Sequence, residues 1–461
     1  MAYVIAPDIA LRGWQLVPHA YYMRGGGTAR SLSEEEFEVL QKCDGKTNIS
    51  PSSLLDTLVA RRLCAPAAAG ETLSPWQRFR FCDNRYFPGV NWAITGKCNF
   101  NCRHCFNAAD NAPSMSEFTW EQCLELIRQL DECGVQNAAL TGGEPMIHPR
   151  FMDICREFEK RGMVTDELTT NGSFITGEML EEFGSFRVKP LFKLSFDGLG
   201  SHDWFRDKTG AEKDVLEKIK LLRKKGFRVK VQTNVHRGNL DTILPTAKLM
   251  DSLGVECMRV IRTTEAPRWE EKGGDLCLSI SEYYDFALDF VRKFLEEDMT
   301  MQVDIWQAFQ LWPRQRAYRH RPVEVSASKY RDSFPVCRGA RGQIAITPEG
   351  DILPCNQLSG LFKKHGICMG NVFRTPLREL LSGGEYLKSV CYTVGELRKE
   401  NPKCQVCRHW KLCMGGCRAI GYLFGGSYTS HDPFKCVYFD NYMHQFAALF
   451  DESWRCVDEL D

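Results

Sequence analysis

Cys98, Cys102 and Cys105 fall within eight residues, in the run CNFNCRHC, directly after the apolar, β-prone stretch GVNWAIT. Three thiolates leave the fourth position of a tetrahedral metal open, as a catalytic metal needs in order to take a substrate. An iron-sulfur cluster held by three cysteines likewise keeps one iron free for another ligand. The alternative is a zinc knuckle completed by His104. That residue adjoins Cys105, and the two reach one tetrahedral ion only with strain. A second array follows towards the C-terminus: Cys337, Cys355 closing GDILPC, then Cys404, Cys407, Cys413 and Cys417 spaced CxxCxxxxxCxxxC, and finally Cys436. Taken alone, that array suits structural zinc as well as iron-sulfur clusters.

The chain has 21 cysteines, and the other eleven, among them Cys43, Cys123, Cys155 and Cys391, sit singly in ordinary helical or strand patterns, as small buried hydrophobes do. The start, MAYVIAPDIALRGW, lacks the basic and apolar segments of a signal peptide, and no run has the length of a membrane span. A cytoplasmic protein is expected. In a reducing compartment so many cysteines point to metal or redox chemistry and not to disulfides. Lysine plus arginine equals aspartate plus glutamate at 59 each, so net charge points to neither nucleic acid nor an anionic membrane. A length of 461 residues and a hydrophobic fraction of 43% predict a soluble chain of about two to four domains.

The cysteine loop must be held by something rigid. From residue 88 to about 300, six β-rich runs (VNWAIT, VQNAALT, VTDELTT, PLFKLSF, FRVKVQTN and VECMRVIR) are each followed by a helical pattern. After Thr119, for example, Gln122 completes a capping box, Leu124, Ile127 and Leu130 form a stripe, and Gly134 ends the helix. Six βα units imply a parallel sheet, as a partial barrel or doubly wound, with chemistry at the C-terminal strand ends, where Cys98 falls. Residues 1–75 read as a separate module: the strand HAYYM, a helix capped by Ser33 and Glu36, and a second helix presenting Leu54, Leu55 and Leu58, before the linker AGETLSP. Residues 301–333 read as a bridge, 334–440 as a loop-rich domain stapled by metal, and 441–461 as a C-terminal helix.

Cys98, Cys102 and Cys105 match the CxxxCxxC signature of radical S-adenosylmethionine (SAM) enzymes, and the resemblance continues in TGGEP (Thr141 to Pro145) and in LSFDG (Leu194 to Gly198) followed by HDWFR. It implies a partial (β/α)6 barrel of the TIM type, a four-iron, four-sulfur cluster whose open iron chelates SAM, and SAM contacts from Gly142, Gly143, Glu144, Ser195 and Arg206, with Asn171 a weaker candidate. The glycines would let backbone approach a small zwitterion, Glu144 could also orient the turn, and Arg206 would pair with the SAM carboxylate. His148 is read as a helix cap, and His202 and Asp203 as ordering the loop before Arg206, so no catalytic base is assigned.

The C-terminal array resembles the SPASM domain of radical SAM peptide maturases, with two auxiliary four-iron clusters. The resemblance implies an outer cluster on Cys404, Cys407, Cys413 and Cys436 and an inner one on Cys337, Cys355 and Cys417. The inner cluster lacks a fourth ligand: Cys368 or Cys277 completes it, or one iron stays open. The N-terminal module resembles the RiPP recognition element, a winged-helix module that binds a precursor's leader as an added strand. Its alternative is a cap that only buries the barrel's open side. The resemblance therefore implies a maturase of a ribosomally made precursor peptide, supplied with electrons by a donor such as flavodoxin or ferredoxin. A deoxyadenosyl radical would abstract hydrogen, the auxiliary clusters would accept an electron, and a cysteine thioether crosslink is the favoured product. Carbon-carbon or carbon-oxygen crosslinking, epimerisation, sulfatase-maturation-like oxidation, a small-molecule substrate and a non-enzymatic zinc protein are the alternatives.

Overall fold

The computed structural model describes residues 1–105, 107, 115–264, 267–320, 331–337 and 342–459, so residues 321–330 of the expected bridge lie outside the described residues. The N-terminal elements are β1 (Ala2–Ile5), β2 (Ile9–Trp14), β3 (Val17–Met23), β4 (Arg30–Ser31), α1 (Glu34–Gln41), β5 (Asp44–Asn48), α2 (Ser53–Ala60), β6 (Cys64–Pro66) and β7 (Arg80–Cys82). They make two small sheets, ordered β5-β1-β6 and β4-β3-β2-β7. Ser33 and Glu36 form their capping box on α1. Phe37, Leu40, Leu55 and Leu58 share a core separate from that of the rest of the chain.

The chain then alternates strand and helix: β8 (Gly89–Thr95), α3 (Trp120–Glu132), β9 (Asn137–Gly142), α4 (Phe151–Lys160), β10 (Val164–Thr170), α5 (Gly177–Ser185), β11 (Leu191–Ser195), α6 (His202–Arg206), α7 (Ala211–Lys224), β12 (Val229–Val235), α8 (Ile243–Ser252), β13 (Cys257–Arg262), α9 (Pro267–Gly273) and α10 (Ile280–Glu296). β8 to β13 pair in sequence order, all parallel. Helices cover the sheet through stripes such as Leu126, Ile127 and Leu130 of α3. This is the α/β core the six βα units imply.

The sheet extends past six strands in both directions. β14 (Gln302–Ile305) joins β13 in parallel, and β17 (Gln343–Ile346), from the cysteine-rich region, joins β8 in parallel. β15 (Phe309–Trp312) and β16 (Ala317–His320) continue antiparallel from β14, and β18 (Ile352–Leu353) pairs with β17. Residues 302–320 thus belong to the core sheet and are not a bridge between domains. The expected helix over 441–461 breaks after Ala447: after a π-turn at Tyr438–Tyr442 comes Met443–Ala447, and the chain returns as β19 (Arg455–Cys456) beside β16, followed by a 3-10 turn at Val457–Glu459. The reason is aromatic burial, because Phe450 stacks on Tyr318 at 4.1 Å between ring centroids and Phe446 packs on Phe309 at 5.1 Å.

The N-terminal module sits at the opposite end of the strands from the cysteine loop. Its Trp14 indole donates to Cys133 O (3.0 Å), Arg24 pairs with Glu159, Arg80 with Asp131 and Asp8 with Arg187, while Asn137 at the start of β9 donates to Gly27 O. All these barrel partners precede or begin strands. The open side of the barrel is instead flanked by β17 and β14, so the module is not its cap. Among the described residues no helix is long and apolar enough to cross a membrane.

Candidate active site

Parallel strands bring their C-terminal ends together, and the predicted residues gather there. Cys98, Cys102 and Cys105 beyond β8, Gly142 and Gly143 at the end of β9, Asn171 beyond β10, Ser195 at the end of β11 and Arg206 on α6 line one cavity of about 520 Å³. The facing wall carries Cys337, Cys355 and Cys417. Two sets of three thiols therefore look into the same space.

All cysteines of the described chain are free thiols. Burial pushes Cys98 up to about 12 and raises Cys102 as well, against the pull of Arg206. A thiol so placed becomes a thiolate only when a metal is bound to it. Donors for the sulfurs are in place: the Phe100 amide lies 3.4 Å from Cys98 Sγ and Arg206 Nη1 lies 3.7 Å from Cys102 Sγ. These contacts suit the sulfur ligands of a cluster. The zinc knuckle does not form. His104 stacks flat on Phe205, 3.9 Å between centroids, with Nε2 3.3 Å from Asn234 Nδ2, and burial pushes it down to about 3. Among the described residues no three His, Cys, Asp or Glu side chains approach closely enough to share one ion.

The glycine pair has a reason the sequence did not reveal. A Cβ on Gly142 (φ 149°) would stand 2.2 Å from Thr95 O, and one on Gly143 2.2 Å from Lys97 O. The turn is hydrogen-bonded flat against this backbone, Gly143 N to Thr95 O and Glu144 N to Lys97 O, both 2.8 Å. The close approach that requires glycine is thus to the segment leading into the cysteine loop. Glu144 does not face the cavity. Its fully buried carboxylate accepts from Thr170 Oγ1 (2.8 Å), the Asn171 amide (2.8 Å) and the Met146 amide (3.2 Å), joining the end of β9 to that of β10. Burial pushes it up to about 7 despite those donors.

Arg206 is already engaged. Its Nε donates to Asp197 Oδ2 at 2.6 Å, and the other oxygen, Oδ1, accepts from the Asn234 amide (3.0 Å) and Nδ2 (3.1 Å). Burial alone would raise the Asp197 carboxyl, but Arg206, His202 and His104 together outweigh it and hold the group well below the usual carboxylate range. Asp197 thus holds Arg206 through Nε, with Nη1 beside Cys102 and the guanidinium in the cavity wall. Asp197, inside the quoted SFDG, was missed as a site residue although the motif pointed to it. His202 Nδ1 accepts from the Asp197 amide (3.1 Å), and Asp203 accepts from the Gly210 and Glu212 amides at the start of α7. His148 accepts from the Arg150 amide just before α4.

In the cysteine-rich region, Cys404 and Cys436 are electrostatic neighbours of each other and of both Cys407 and Cys413, and Cys355 is a neighbour of both Cys337 and Cys417. Burial pushes Cys355 up to about 11 and Cys417 to about 12, so these thiols also need a metal to ionise. Neither Cys368 nor Cys277 lines the cavity: Cys368 is exposed beside Asp351, and Cys277 takes the Trp269 indole N–H at 2.8 Å. Of the eleven single cysteines, eight are buried.

The cavity wall includes Lys193, Arg206, Arg259, Arg268, Arg418 and Lys435 but no described carboxylate. Lys193 is paired outside the lining with Glu167 (2.5 Å) and Arg259 with Asp304 (2.8 Å). Arg268 is 5% exposed and touches Asn101, while its Nε has no hydrogen-bond partner. Spacing alone could not reveal these residues, because each comes from a different strand or helix.

Residues 92–250 match the model of the radical SAM superfamily, and residues 337–409 that of the SPASM iron-sulfur cluster-binding domain. An AdoMet-dependent heme synthase of Methanosarcina barkeri is 27% identical over 76% of this chain and 96% of its own length. A PqqA peptide cyclase of Streptomyces rochei is 23% identical over 75% of this chain and 88% of its own. The crystal structure of Streptococcus suis SuiB bound to its precursor peptide SuiA superposes with a TM-score of 0.65 at 14% identity, covering 93% of this chain and 98% of that one.

Proposed function

We propose that this chain, an enzyme with a radical SAM core and a SPASM domain, matures a ribosomally made precursor peptide. The observation that carries the reading is the shared cavity, in which the SAM-cluster thiols Cys98, Cys102 and Cys105 face Cys337, Cys355 and Cys417. The cluster, when bound with SAM, supplies a deoxyadenosyl radical. The residues around it position the reaction: the glycine turn and Ser195 border the SAM site, and Asp197 holds Arg206 beside Cys102. Enclosure between barrel and cysteine-rich wall limits the water that would quench a radical.

The finer assignment is a thioether. One hydrogen atom would leave a substrate carbon for the deoxyadenosyl radical, a substrate thiol would lose its proton, a C–S bond would form, and an auxiliary cluster held by the SPASM cysteines would supply the acceptor for the remaining electron. Support comes from the inner set, which has three cysteines and receives no fourth from Cys368 or Cys277. The leader would bind the N-terminal module. Similarity to SuiB over 93% of the chain necessarily takes in part of that module, and the module's seat at the far end of the strands leaves it free of any capping task. Three four-iron clusters and an external electron donor such as flavodoxin or ferredoxin complete the reading.

A second reading has its own observation. The cationic cavity lining and the relatives named heme synthase fit a small molecule bearing carboxylates, such as a tetrapyrrole. One experiment separates the two. The anaerobically reconstituted enzyme is given SAM, reductant and either a short precursor encoded beside its gene or a carboxylated tetrapyrrole. Loss of two hydrogens from the peptide, with a cysteine newly protected from alkylation, supports thioether maturation. Turnover of the tetrapyrrole alone replaces it with the second reading.

A further inference from the structure

The inner cysteine set has one contact of a different kind. Tyr428 is 7% exposed and lines the cavity, and its hydroxyl lies 3.3 Å from Cys337 Sγ, its only hydrogen-bond partner among the described residues. The position is rigidly held. Arg418, itself buried, donates from Nη1 to the Tyr428 carbonyl at 2.9 Å and to the Ser430 carbonyl at 2.7 Å, while Ser427 Oγ accepts from the Thr429 amide in the same turn.

A buried phenol keeps a hydrogen-bond partner. Between a thiol and a hydroxyl either group can donate, but a sulfur bound to iron is a thiolate without a proton. The direction is then settled: Tyr428 donates and Cys337 accepts. A hydrogen bond to a cluster sulfur stabilises the added negative charge of the reduced state and so raises the reduction potential. Neither other inner sulfur has a hydroxyl against it: Cys417 faces the Gln357 side chain at 3.9 Å, and no described side-chain donor is bonded to Cys355 Sγ.

We propose that Tyr428 is a positioning residue that raises the potential of the inner auxiliary cluster through an O–H to sulfur hydrogen bond to Cys337, making that cluster the electron acceptor of the reaction. This rests on the reading that Cys337, Cys355 and Cys417 hold an iron-sulfur cluster. Held by Cys337, Cys355 and Cys417, such a cluster would accept the single electron left when the substrate radical closes its new bond, and would pass it on to an external acceptor of the flavodoxin or ferredoxin class.

The test is Tyr428→Phe in the full reconstituted chain, which keeps the ring and removes only the hydroxyl. Iron and sulfide content are measured first, then the inner-cluster midpoint by redox titration followed by electron paramagnetic resonance, the signal being identified by its loss in Cys355→Ala. The expected result is wild-type metal content, a midpoint shifted to more negative potential, unchanged substrate-free SAM cleavage and slower product formation. An unchanged or more positive midpoint overturns the proposal. If the variant fails to load iron, the wild-type sequence with fluorotyrosine incorporated decides: its phenol donates more strongly, so an inner-cluster midpoint shifted to more positive potential supports the proposal, and an unchanged or more negative one overturns it. A wild type that holds zinc in place of the inner cluster overturns the underlying reading as well, and metal content alone identifies that outcome.

Discussion

The two cysteine sets that face the shared cavity are built in opposite ways. Cys98, Cys102 and Cys105 hang from the end of β8, and their segment is braced from other strand ends: Gly143 on β9's turn, Asn171 after β10, Asp197 after β11 through Arg206, and Asn234 on β12. Cys337, Cys355 and Cys417 come from loops and short helices, in a region that the β17–β18 pair joins to the sheet. Sheet hydrogen bonds hold the first set whether or not metal is present. The second sits on loop segments that pack apolar side chains such as Leu358, Phe362 and Ile420 into the barrel core, and metal ligands would cross-link those loops. Loss of metal should therefore leave the barrel folded and loosen the cysteine-rich region.

The largest expected effect tests the first set. Cys102→Ala should abolish deoxyadenosine formation and lower iron by about four atoms per chain while the far-ultraviolet circular dichroism stays as in the wild type. A collapse of secondary structure would break the contrast. Cys417→Ser should be milder on SAM and harsher on structure: SAM cleavage persists, product is lost, and limited proteolysis opens residues 342–459. Protection equal to the wild type would show that loops alone suffice there.

Within the first set, Asp197→Asn removes the buried counter-charge of Arg206. It should destabilise the chain by roughly 3 kcal/mol or more and weaken SAM affinity, read by denaturant melts and equilibrium binding. A smaller step is Gly143→Ala. Its Cβ would meet Lys97 O at 2.2 Å, whereas Gly177→Ala, with nothing within 4 Å, serves as the control. The first should cost about 1–3 kcal/mol and SAM affinity, the second neither.

The smallest effect is a pH slope. Glu144 rises from 4.5 to about 7 on folding, so the folded state holds its proton more tightly than the unfolded one. Its contribution is complete below pH 4.5 and is lost as pH rises through about 7. Stability of the wild type relative to Glu144→Gln should fall over that interval. A flat difference would mean that the donors from Thr170, Asn171 and Met146 fully offset burial.

Much of this was legible in the residues themselves. Alternating β-rich runs and amphipathic helices determine a parallel βα sheet, because both periodicities are local properties of the chain, and the capping boxes at Thr119 and Ser33 formed as read. The cysteine spacings likewise identify metal chemistry, since ligands must be close in sequence when a loop carries them. Only the tertiary structure decided that β14 and β17 extend the sheet, that Phe450 turns the C-terminal segment back onto Tyr318, and that the N-terminal module sits away from the cavity. It alone decided that Gly142 and Gly143 lie flat on the chain's own backbone, that Asp197 holds Arg206 Nε, and that Tyr428 meets Cys337 across 91 residues. Such contacts join segments remote in sequence, where no periodicity links the partners and only the closing of the sheet brings them within reach.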